Sequence, residues 1–240
     1  MYFERTYRDF EQNQRFHPFQ VVIKETDLYI KAGLNLQKES LELARFYRKQ
    51  IEDYINLHPY FQKSLVPLPF DPDAPSIIKE MLAASSQTGV GPMAAVAGAI
   101  AEFVGKSLLR YSSEVIVENG GDIFAVTSKS FVVEIFAGCS PFSQKIGVEF
   151  SPHETPIGVC TSSGTVGPSL SFGKADAVTV ISSSAILADA AATAIGNLIK
   201  HKKDISQGLK FGSALLGIKG ILIVMDEKLG VWGGIKLVNL

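Results

Sequence analysis

Asp189 and Thr193 stand four residues apart in an alanine-rich stretch, Ala188-Asp-Ala-Ala-Ala-Thr193. At that spacing on a helix their side-chain oxygens leave one face. A carboxylate and a hydroxyl are hard donors of the kind Mg²⁺ or Ca²⁺ takes, commonly together with phosphate oxygens. The pair also has a purely structural reading, in which Thr193 bonds back to its own helix and Asp189 caps or solvates its first turn.

Three further stretches could hold a ligand. Ser85-Ser-Gln-Thr-Gly-Val-Gly-Pro92 reads as a loop opening onto an apolar helix, which makes Gly89 and Gly91 candidates for an anion site at a helix N-terminus. It lacks the Gly-Lys-Ser/Thr of a P-loop. Asn119-Gly120-Gly121-Asp122 interrupts a strand pattern and reads either as a kink approached by a ligand or as a plain hairpin turn. Thr161-Ser162-Ser163-Gly164 closes the short apolar strand that begins at Gly158 and offers hydroxyls to a phosphate or to its own turn. Cys160 beside it reads as a buried structural thiol, with a nucleophilic role as the alternative. His17, His58, His153 and His201 show no metal-ligand spacing.

The elements that must position these residues follow from periodicity. Phe19–Lys24 and Leu28–Lys31 flank a polar turn, Glu25-Thr-Asp27. Asn35 offers a cap for a helix to Leu57 whose apolar stripe is Leu43, Tyr47, Ile51, Tyr54 and Ile55, with Arg45, Arg48 and Lys49 on its wet face. Prolines 67, 69, 72 and 75 punctuate a connection, the boundary near 60–75 if the single domain of 240 residues consists of two packed halves. Helices are expected from Pro75 to Ala84 and from Met93 to Leu109, the second rich in small residues and suited to close packing within one subunit or across a dimer interface. Strands are expected at Val115–Val117, Ile123–Val126, Phe131–Phe136, Ile146–Phe150 and Val178–Ile181. The Asp189 helix should run from Ser184 to His201, capped by Ser183 or Ser184. Ile221–Val224 and Ile235–Val238 should close the fold as a hairpin around Gly230 to Gly234. Many hairpins with segregated helices indicate an α+β fold of antiparallel sheets.

Composition sets the remaining bounds. The net charge of −1 gives no field for nucleic acid or a membrane surface, and hydrophobic residues at 46% suit an ordinary globular core. Two cysteines without a framework, no signal-like apolar run at the start and no stretch long enough to span a bilayer point to the cytoplasm.

In order along the chain, Gly89-Val-Gly-Pro92, Val117-Glu-Asn-Gly-Gly-Asp-Ile123, Cys160-Thr-Ser-Ser-Gly164, Ala175-Asp-Ala-Val-Thr-Val-Ile181 and Ala188-Asp-Ala-Ala-Ala-Thr193 resemble the ApbE-like superfamily. Its characterised members are FAD:protein FMN transferases, and the resemblance is greater to a shorter branch without an assigned reaction. The resemblance covers roughly residues 88 to 200. It implies a T-fold-like architecture with helices on one face of the sheets, and Mg²⁺ held by Asp189 and Thr193 beside the pyrophosphate of FAD, with FMN as the alternative flavin ligand. The Asn119–Asp122 and Thr161–Gly164 stretches would line the same cleft. Two parts of the transferase pattern are missing. Ala97-Gly98 replaces a Lys-Gly, and Thr165–Lys174 lacks the expected His-x-x-Asp-Pro-x-Thr-Gly. The expectation is therefore a retained site for a small phosphorylated ligand such as a flavin nucleotide, with a divalent cation, while these departures put FMN transfer in doubt. The alternatives are a non-catalytic binding or assembly protein, which could be a homo-oligomer, and a metal-dependent hydrolase of a small phosphorylated metabolite.

Overall fold

The structure is a computed structural model and describes residues 15–167 and 171–240. The N-terminal ten residues read for a signal, and part of the Thr165–Lys174 interval, lie outside the described residues.

Hairpins build the main sheet. β1 (His17–Ile23) pairs with β2 (Thr26–Ala32), which pairs with β3 (Val115–Asn119), and β3 with β4 (Asp122–Val126). β4 then meets β7 (Ile157–Ser162), followed by β8 (Ala177–Ser182), β9 (Ile218–Met225) and β10 (Lys228–Gly233). All these pairings are antiparallel, in the order β1-β2-β3-β4-β7-β8-β9-β10. A second sheet of three strands, β11-β6-β5, joins β5 (Phe131–Glu134), β6 (Ile146–Phe150) and β11 (Lys236–Asn239).

Strand alternation gives the large sheet two apolar faces. Leu28, Ile30, Val115, Val117, Phe124, Cys160, Val178, Val180, Ile221 and Ile223 point into a core shared with the helices. Ala125, Ile157, Val159, Ala177, Ile181, Leu222 and Val224 point the other way and meet Phe131, Val148 and Phe150 of the small sheet. The molecule is thus layered helices, large sheet, small sheet, an α+β arrangement with the helices on one face.

The helices are α1 (Gln37–Leu57), α2 (Tyr60–Lys63), α3 (Ser76–Thr88), α4 (Val96–Leu108), α5 (Ala185–Leu198) and α6 (Ile205–Ser213). Asn35 sits two residues before α1 and accepts the Gln37 N–H at 3.1 Å, while the cap position expected for it falls to Leu36. Ser184 caps α5, its hydroxyl accepting the Leu187 N–H. Among the described residues no single helix is long and apolar enough to cross a membrane. The stretch from Ser76 to Leu108 passes that test only as a pair bent by 108°.

Several expectations need correction. The first hairpin turns at Lys24-Glu25, with Lys24 at φ 51°, so Thr26 and Asp27 belong to β2. Arg48 is not on a wet face. Its guanidinium donates to Thr26 at 2.6 Å and pairs with Glu25 and Glu52, both at 2.9 Å, tying α1 to that turn. α3 runs on through Ser85-Ser-Gln-Thr88 instead of stopping at Ala84, because the Ser85 and Thr88 hydroxyls are buried on the Val90 and Ala84 carbonyls. The closing hairpin is β9–β10, turning at Asp226-Glu227. The glycines at 230–234 are not its turn, since Gly230 lies within β10 where a side chain would collide with Ile205 of α6. The segment expected to complete that hairpin crosses to the small sheet, where β11 pairs with β6.

Candidate functional site

The interruption between β3 and β4 is a two-residue hairpin turn. Asn119 faces Asp122 in the register, and Gly120 and Gly121 take φ of 69° and 107°, values that two successive side chains would resist. Glu118 accepts the Gly121 N–H at 3.1 Å, and Asn119 donates to the Ala97 carbonyl at 3.1 Å. The turn is thereby held against the start of α4.

Beside it the sheet opens. β4 and β7 pair only from Ala125↔Ile157 to Ile123↔Val159, while β7 continues to Ser162. Asp189 and Thr193 of α5 reach the opening, on the side of the same gap as Asp122. The Asp189 carboxylate accepts the Gly98 N–H at 2.9 Å and also the Ala97 N–H, so it caps α4 rather than its own helix. Glu102 of α4 returns the favour to α5, accepting the Ser184 hydroxyl at 2.9 Å and the Ile186 N–H at 3.2 Å. Gly98 makes this reciprocal arrangement feasible, because any Cβ there would collide with the Ala185 carbonyl.

Electrostatics follow from this crowding. Burial and then the charge of Asp122 push the Asp189 carboxyl well above the usual carboxylate range, against the pull of the Gly98 and Ala97 amides. Cys160 is fully buried, and burial followed by Asp122 and Asp189 pushes its thiol up. Its Sγ donates to the Ala185 carbonyl at 3.2 Å. A neutral, enclosed thiol is a poor nucleophile, which favours the structural reading of Cys160.

The opening belongs to a cleft of about 410 Å³ between the two sheets. Gly120, Gly121, Asp122, Thr161, Ser162, Ser163, Asp189 and Thr193 line it, so most of the residues singled out in the sequence converge. Gly89, Gly91, Asn119 and Gly164 are not among its lining. Gly89, at φ 80°, ends α3, and Gly91 is pressed against the Ser64 backbone, so neither glycine stands where an anion would meet the cleft. Gly164 is fixed by its N–H to the Ala175 carbonyl at 2.8 Å. Ser163 turns its hydroxyl inward to the N–H groups of Thr165 and Val166, and Thr161 bonds Thr179 at 2.9 Å. Asp176 lies behind this loop, holding Thr165 at 3.0 Å and the Asp226 N–H at 2.7 Å.

Sequence reading missed the opposite wall. Tyr29 and Lys31 of β2, Ile116 and Glu118 of β3, and Phe131 to Glu134, Phe136 and Leu240 also line the cleft, with Ile123, Val166 and Gly167 beside the residues already named. The alternation of β2 and β3 signals an outward face for Tyr29, Lys31 and Glu118. Nothing local says that β5 and the end of β11 cover it.

The donor set can be tested against a divalent cation. Among the described residues no group of three His, Cys, Asp or Glu stands together as a metal site. What is present is a carboxylate and a hydroxyl one helical turn apart, with a second carboxylate near enough to raise the first. Such oxygens fit Mg²⁺ when a ligand's phosphate supplies the remaining positions.

A family model described as AbpE bacteria matches residues 8–210. A UPF0280 protein of Methanosarcina acetivorans is 42% identical over 200 residues, spanning 82% of this chain and 79% of the relative. One from Methanocaldococcus jannaschii is 39% identical over 221 residues, 90% of each chain. Among solved structures, the apo flavinyl transferase ApbE of Pseudomonas stutzeri matches with a TM-score of 0.59 at 14% identity, over 90% of this chain and 94% of that one. The ApbE protein of Thermotoga maritima gives 0.64 at 14% identity, over 90% and 96%. At such identities the structural likeness establishes the fold alone. With the family match running from the first strand through α5, this chain belongs to the ApbE-like superfamily, in its UPF0280 branch.

Proposed function

We propose that the inter-sheet cleft binds a phosphorylated ligand of the flavin-nucleotide class, with a divalent cation held by Asp189 and Thr193. One observation carries this reading: Asp122, Asp189 and Thr193, from two different layers, line one cleft together with several apolar side chains. An acidic floor repels a phosphate unless a cation lies between them, while Ile116, Ile123, Phe131 and Phe136 suit a flat ring. The cation, when bound, would neutralise phosphate charge there. The protein's own part is to orient the ligand: Asp189 is held by two amides of α4, and the Thr161–Val166 loop is braced by Asp176. Proteins of the same fold include a flavinyl transferase and a flavin transferase, which supports the flavin class.

Transfer of FMN is not part of the proposal. Ala97 brings a methyl group where the transferases carry lysine, and its carbonyl is taken by Asn119. A second reading is favoured by the Gly98 contact: Asp189 serves as a helix cap only, and the cleft binds its ligand without a cation. A melting-temperature panel with FAD, FMN, ATP and ADP, each with and without Mg²⁺, separates the two. A ligand at a hundredfold excess over its dissociation constant stabilises by about 2.7 kcal/mol. A flavin-nucleotide shift that needs Mg²⁺ supports the proposal. A shift indifferent to Mg²⁺ supports the second reading, and no shift with any nucleotide refutes both.

A further inference from the structure

β5 lines part of the cleft, and by strand alternation Val132, Glu134 and Phe136 share one of its faces, with Leu240 beside Val132 on that side. The Glu134 Oε1 is shut off from solvent and has no hydrogen-bond partner among the described residues. Its cross-strand neighbour is Gly147, which has no side chain to offer a donor. A carboxylate oxygen stripped of water without a donor is costly, and such groups in folded proteins commonly mark where something else must bind. A hard cation needs several oxygens, and a single carboxylate among apolar side chains does not supply them. A hydroxylated chain would find better company among the hydroxyls of Thr161 and Ser162 than here. What fits is a flat ring resting on the apolar wall and presenting an N–H at its edge.

We infer that Glu134 is a specificity-determining residue, accepting a hydrogen bond from a ring N–H of the ligand's heterocycle. The inference rests on the flavin-nucleotide reading above and sharpens it: the cleft selects nitrogen heterocycles that carry such a donor. Oxidised flavin has one ring N–H, on the pyrimidine portion, and methylating that nitrogen removes the donor while keeping the ring.

The test is a set of calorimetric titrations with FMN, N3-methyl-FMN and FAD, in Mg²⁺, on the wild-type chain and Glu134→Ala. The wild type should bind FMN at least about tenfold more tightly than the methylated analogue. Glu134→Ala should bind the two alike, at the weaker affinity, with a melting temperature no lower than that of the wild type. The wild-type comparison needs no variant, so a poorly folding variant does not shield the inference. Equal wild-type affinity for both flavins, or Glu134→Ala binding FMN as the wild type does, overturns it and leaves the proposed function standing. If the wild type binds neither FMN nor FAD, both fall together.

Discussion

The two faces of the large sheet are built to opposite ends. On the helical face α4 and α5 approach so closely that Gly98 admits no side chain, and each helix caps the other through Asp189 and Glu102. On the other face the small sheet covers β7, β8, β9 and Ala125 of β4 with a packed core, while residues of β2, β3 and β4 line the cleft beside it. One face is closed to hold the fold, and the other is left open where the proposed ligand would sit. Asp189 belongs to both, which is why its substitution cannot separate them and Thr193 is the better probe.

The largest effect is expected from closing what is already closed. Gly98→Val drives a side chain into the Ala185 carbonyl and should cost about 3 kcal/mol, a fall in melting temperature of roughly 6 to 12 °C. A near-neutral result would mean that the α4–α5 crossing is looser than described. Glu102→Ala removes two hydrogen bonds at the α5 N-terminus and should cost about 2 kcal/mol by urea unfolding. Tyr54→Phe, at the far side of the helical layer, removes a bond to Asp71 of 2.9 Å and should cost about 1 kcal/mol. Burial and then Asp71 push the Tyr54 phenol up to about 12. The folded state therefore keeps a proton that the unfolded state releases near pH 10, and the wild type should lose stability between about pH 10 and 12. Tyr54→Phe should lack that part of the loss in the same titration. Thr193→Val touches only the open face, and its unfolding free energy should stay within about 0.5 kcal/mol of wild type.

The contrast between the faces also explains what the sequence revealed. The helical layer and the hairpins are written in local signals: the Ser184 cap, the Gly120-Gly121 turn, and the stripe on α1 that includes Tyr47 and Ile51. Asp189, Thr193 and the Thr161–Ser163 turn were legible because their chemistry is concentrated in short stretches. The apolar wall was not legible, because it depends on β11 leaving its neighbour β10 to pair with β6, more than eighty positions earlier in the chain. Gly89 and Gly91 misled for the converse reason. A glycine pair before a helix has the same composition whether it cradles an anion or ends α3 and lets Ser64 approach.

The most direct test of the central claim is a calorimetric titration of FAD into the wild-type chain and Thr193→Val, each in Mg²⁺ and in a chelator. The account predicts wild-type binding in Mg²⁺ that weakens at least about tenfold in chelator, and little Mg²⁺ dependence left in Thr193→Val. Wild-type affinity that is the same with and without Mg²⁺, or a Thr193→Val chain that retains the full Mg²⁺ effect, would contradict it.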